Sequence, residues 1–114
     1  MPTINRSVAI VTPKRPFFDW CKEALNDDEL TFADFTATPG VYLLPDCEDE
    51  SDKLKYLKQH YHLVFAEELA AWVADDSLWP PSRGFKMFCE WFTVQLSSMV
   101  VDLVDEPLDH DEPW

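Results

Sequence analysis

The chain has 114 residues, 46% apolar and 14% aromatic, enough for one buried core and too many for a wholly disordered protein. Its formal net charge is −13, unevenly placed: Arg6, Lys14, Arg15 and Lys22 against Asp19 make residues 1–22 +3, which leaves −16 for the remainder. Such charge disfavours direct contact with duplex nucleic acid or an anionic membrane, and favours basic partners, cations and repulsion between copies.

Residues 7–12, SVAIVT, are β-branched and end at Pro13, so they predict a short strand buried on both faces. Pro16 then opens a helical pattern in which Phe17, Trp20, Cys21 and Leu25 share a face, and Asn26, Asp27 and Asp28 stop it at residue 25. Residues 29–40 are open to two readings: Thr31 caps a short helical turn over residues 33–36, or Phe32 and Phe35 anchor an extended crossing. Thr38, Pro39 and Gly40 form a turn, and residues 41–44, VYLL, have the composition of a second buried strand.

An acidic loop follows, with Asp46, Glu48, Asp49, Glu50 and Asp52 in seven residues. Behind it Leu54, Leu57, Tyr61, Val64, Phe65, Leu69 and Trp72 mark an amphipathic helix over residues 52–73, with Ser51 as expected N-cap. Lys53, Lys55 and Lys58 near its start and Glu67 and Glu68 near its end oppose the helix dipole, and the acidic loop offsets the lysines. Two prolines in LWPPSRG enforce an extended connection that Trp79 pins to the body.

Residues 85–104 hold the densest apolar stretch. Phe85, Phe88, Trp91, Phe92, Leu96, Met99, Val100, Leu103 and Val104 fall at helical spacing, while Val94 and Val101 do not fit a two-sided helix. The first half is expected to be helical through Phe92. The second half, residues 93–104, fits either a continued helix or a third strand, which a two-stranded sheet would need. Asp102, Asp105 and Glu106 would crowd negative charge at a helix C-terminus, relieved by Arg6, Lys14 and Arg15, by a cation, or by the segment not being helical. Residues 107–114, with three acids and two prolines, are expected to be a mobile tail.

The fold expectation is therefore a single α+β domain over residues 1–106, with two or three short strands packed against two to four helices. No charged-then-apolar leader opens the sequence, and its apolar runs, such as residues 8–11 and 63–66, are far too short to span a bilayer, so the expectation is cytoplasmic.

The chemical motifs are sparse. Two glycines cannot build a Walker or dinucleotide loop. Cys21, Cys47 and Cys89 match neither a disulfide framework nor a zinc site, and Cys21 and Cys89 are expected in apolar surroundings. Nothing in their spacing to the histidines selects a catalytic triad. His60 and His62 lie two apart, which on a helix points them about 200° away from each other, and the i±4 neighbours of His60 are Tyr56 and Val64. No catalytic, cofactor or metal residue is assigned.

The sequences NRSVAIVTPKRPFFDW, TPGVYLLPD and the closing EWF and SMVVDLVDEPL resemble a group of short, acidic, uncharacterised bacterial proteins. The resemblance spans nearly the whole chain and implies a bacterial, cytoplasmic, single-domain protein, with no activity attached. The functional expectation is a non-catalytic interaction protein that binds a basic protein partner through Asp46, Glu48, Asp49, Glu50, Asp102, Asp105 and Glu106. The alternatives are a hydrolase or metal-dependent enzyme using acids near His60 or His62, and an inhibitor that mimics the phosphate array of nucleic acid.

Overall fold

Residues 7–12 do form a strand, and it is the central one, so that side chains of neighbouring strands flank it on both faces. The computed structural model describes residues 5–101, 103 and 104. In chain order they form β1 (Arg6–Pro13), α1 (Arg15–Leu25), α2 (Phe32–Phe35), β2 (Gly40–Pro45), α3 (Glu50–Trp72), a 3-10 turn (Asp76–Leu78), α4 (Phe85–Trp91) and β3 (Phe92–Ser97). The three strands make one antiparallel sheet in the order β2-β1-β3. The domain is a small α+β fold, as the residue pattern predicts.

The register fixes the two faces of the sheet. Ala9 pairs with Tyr42 and Leu96, and Val11 with Gly40 and Val94; their face carries the core. Val8 pairs with Leu43 and Ser97, and Ile10 with Val41 and Gln95, on the opposite face. The core gathers Val11 and Phe92 from the sheet and Phe17, Phe35, Leu57, Phe65, Leu69 and Phe88 from the four helices.

Each helix boundary has a local cause. Pro16 sits in the first turn of α1, and Asn26 closes it in the left-handed region at φ 52°. Thr31 accepts the amide of Asp34 and caps α2, so the helical reading of that stretch holds. Helix α3 starts two residues before the expected position. Its N-cap is Asp49, not Ser51: the Asp49 carboxylate accepts both the backbone N–H and the hydroxyl of Ser51, each at 3.0 Å. Those bonds hold the Asp49 carboxyl below its ordinary value. Glu50 and Asp52 then complement the dipole within the first turn. Leu54, placed on the apolar stripe from sequence, is instead half exposed.

Helix α4 stops at Trp91 and the chain enters β3 without a loop, Phe92 having extended angles while its N–H still reaches the Phe88 carbonyl. The amide of Lys14 captures the Trp91 carbonyl at 2.8 Å, which carries the β1 pairing up to the helix end. The strand reading of the second half is the right one, though it ends at Ser97. Met99, Leu103 and Val104 lie at helical spacing yet are exposed. Trp79 pins the proline connection as expected: its indole N–H donates to the Val73 carbonyl at 2.7 Å. No helix among the described residues is long and apolar enough to cross a membrane.

One expectation fails in position rather than type. Residues 41–44 are a strand, but an edge strand, with Val41 61% and Leu43 50% exposed; only Leu44 is buried. Composition marked it apolar, whereas burial depends on which neighbour covers it, and among the described residues β2 has β1 on one side alone. Residues 107–114, along with Asp102, Asp105 and Glu106, lie outside the described residues.

Candidate functional site

The acidic loop between β2 and α3 is held in place from four directions. The hydroxyl of buried Ser7 donates to the Cys47 carbonyl at 3.0 Å and accepts the Cys47 N–H at 3.2 Å. Ser98, just beyond β3, donates a hydroxyl to the same carbonyl at 3.0 Å. Lys53, 3% exposed, sends its ammonium to the Glu48 carbonyl at 3.1 Å, and Asp49 caps α3. The backbone is thus tied to the central strand, to the residue just beyond β3 and to the helix. Asp46, Glu48, Asp49 and Glu50 all remain exposed on it. Fixing the main chain lowers the entropy lost when such a loop is ordered against a partner.

Among the described residues the basic cluster invoked from sequence has three separate partners. Arg6 donates to the neighbouring Asn5 carbonyl, Lys14 to the Cys89 carbonyl at 3.0 Å, and the Arg15 guanidinium sits over the Phe32 ring at 4.4 Å.

Beside the loop lies an apolar groove that the sequence did not disclose. Strand β2 forms one wall by its outer edge and α3 the other, and Val41, Leu43, Tyr56, His60, Leu63 and Glu67 are among the residues that line the resulting space of about 490 Å³. A second, more polar hollow at Arg6, Pro45 and Asp46 shares Leu43, Leu44 and Tyr56 with it, so the concavity runs the length of β2. Glu67 marks one end and Asp46 the other. The signal available in the sequence was Leu63, a leucine off the buried stripe of α3 and 48% exposed.

Tyr42 and Glu68 tie the two walls together. The phenol donates to the Glu68 carboxylate from the core face of β2. Burial, first, and the charge of Glu67 raise the Glu68 carboxyl above its ordinary value, against the lowering effect of the Tyr42 bond. Tyr42 is also raised, by burial first and then by Glu68. Gly40 makes room for the pair: a Cβ there would lie 2.5 Å from the Glu68 Oε2 and 2.8 Å from the Tyr42 ring.

The enzymatic alternative has one point of contact with this geometry, since His60 lines the groove. Its Nδ1 is committed to the Tyr56 carbonyl at 2.9 Å, and its ring stacks on Tyr56. Glu67, seven residues further along the helix, is displaced by about 10 Å of helical rise, too far for direct proton exchange. Among the described residues no three His, Cys, Asp or Glu side chains converge as a metal site. Cys21 is fully buried and its thiol is pushed up to about 12 by that burial, which leaves it protonated and unreactive. Cys89 is exposed, contrary to the apolar setting expected for it, because the buried face of α4 is the one bearing Phe88. No protein family, curated protein or solved structure matches the chain.

Proposed function

We propose that this protein is a non-catalytic cytoplasmic interaction protein that binds a basic protein partner through its acidic surface. One observation carries the proposal: Asp46, Glu48, Asp49 and Glu50 are exposed on a loop whose backbone is fixed by Ser7, Ser98, Lys53 and the Asp49 cap. A charge array of that kind acts by steering and electrostatic complementarity, and its affinity falls as salt screens it.

The test is a titration of a lysine-rich synthetic peptide into the full chain at low and at high ionic strength. Binding is expected at low salt, weakened by about tenfold or more at 1 M salt, where the Debye length is about 3 Å. The paired change Asp46→Lys and Glu48→Lys is expected to reproduce that loss at low salt. Equal affinity at both salt concentrations, or no effect of the paired change, sinks the proposal.

A further inference from the structure

We propose that the outer edge of β2 accepts an extended segment of the partner as a fourth strand, with alternate side chains of that segment entering the groove against α3. The proposal rests on the basic-partner function above and adds to it the mode of recognition.

Four observations carry it. First, among the described residues β2 is paired on one side only, so its outward amides and carbonyls offer a template for another strand. Second, natural edge strands are commonly blunted by charge, and β2 is not: it presents Val41 and Leu43 at 61% and 50% exposure, where β3 on the same open face presents Thr93, Gln95 and Ser97. Third, α3 stands beside that edge with Tyr56, His60 and Leu63, which makes a trough with a main-chain wall and an apolar side-chain wall. Strand addition uses the first for affinity and the second for selectivity.

Fourth, charge names the occupant. The trough is apolar in the middle and acidic towards its ends, with Glu67 at one and Asp46, leading into Glu48, Asp49 and Glu50, at the other. Arg6 is the one Lys or Arg among the described lining residues, and its guanidinium donates to the Asn5 carbonyl. An extended segment with apolar residues at alternate positions and lysine or arginine at its ends is complementary to that pattern. A second copy of this chain would bring −13 against −13, which disfavours pairing of two β2 edges.

The experiment uses the full chain, isotope-labelled for amide spectra, and three synthetic peptides of equal length. One has lysines at its ends and alternating valine and threonine between them; the second is the same peptide N-methylated at alternate amides; the third is all lysine. The strand peptide is expected to move the amides of residues 40–45 and 56–67. N-methylation, which removes main-chain donors, is expected to weaken it about tenfold. Leu63→Lys, at a half-exposed position and with its fold checked by circular dichroism, is expected to weaken it by a similar factor and to leave the all-lysine peptide unaffected.

Equal binding of the N-methylated peptide, or shifts confined to residues 46–52, overturns strand addition and leaves the basic-partner function standing. Failure of all three peptides to bind overturns both. A dimer in sedimentation that Leu63→Lys disperses would put a second copy on the edge and also overturn strand addition.

Discussion

On the β3 side of the central strand, Phe17, Phe65, Phe88 and Phe92 close on one another with ring centroids 4.9 to 5.8 Å apart. On the β2 side, Val41, Leu43 and Leu63 are about half exposed around an open trough. Both flanks hang on the same strand and both contain large apolar side chains. What separates them is coverage: α1 and α4 close over β3, with Phe17 stacked on Trp91, whereas α3 alone attends β2 and stands off from its edge. Stability is concentrated on one flank, and the other is left available for binding.

Substitutions across the two flanks sharpen that contrast. Phe65→Ala, in the closed flank, is expected to cost about 3–5 kcal/mol in urea unfolding, because the neighbouring rings cannot collapse into the space. A loss below about 1 kcal/mol there would mean that the aromatic cluster is loosely packed.

Gly40→Ala is expected to cost about 1–3 kcal/mol, since the new methyl meets the Glu68 carboxylate and the Tyr42 ring at once. Pairing it with Tyr42→Phe tests the cause. If the penalty of Gly40→Ala is unchanged when the hydroxyl is gone, the crowding arises from the ring rather than from the Tyr42–Glu68 bond.

A smaller effect is expected from acidity. Burial raises the Glu68 carboxyl above its ordinary 4.5, so the folded chain holds that proton more tightly than the unfolded chain. Its contribution is fully present below pH 4.5 and is lost as pH rises through the raised folded value. Glu68→Gln should flatten that decline in a stability–pH curve; identical slopes for the two proteins would assign the decline to other groups.

The smallest effect belongs to the open flank. Leu63→Thr is expected to change stability by no more than about 0.5 kcal/mol, because the side chain is already half in water. A large loss in thermal unfolding would show that the trough is part of the core.

The elements most legible in the sequence were those whose pattern is local. Residues 7–12 announced a strand, and Leu57, Val64, Phe65 and Leu69 announced the buried face of α3. The passage from α4 to β3 was harder, because Phe92 and Leu96 satisfy both the helical step of four and the alternation of a strand. The unfilled second edge of β1 and the β-branched Thr93 and Val94 decide it, and the first of these is a property of the assembled sheet. Exposure of Asp46, Glu48, Asp49 and Glu50 followed from their charge alone. The trough did not, since its walls come from two elements whose adjacency no run of residues encodes, and Leu43 reads as core until the strand order is known.

The order β2-β1-β3 also sets a timetable for folding. Val8 pairs with Ser97 and Pro13 with Phe92, so the central strand acquires one neighbour from across almost the whole described chain. Closing so long a loop must precede the reward of the contacts it brings, which places folding on the slow side, about milliseconds or longer. Until that closure β1, the most buried strand of the folded chain, keeps one edge unpaired. Stopped-flow refolding of Val94→Ala would time the event: a slowed refolding arm places the β1–β3 contact in the rate-limiting step, and a change confined to the unfolding arm places it after.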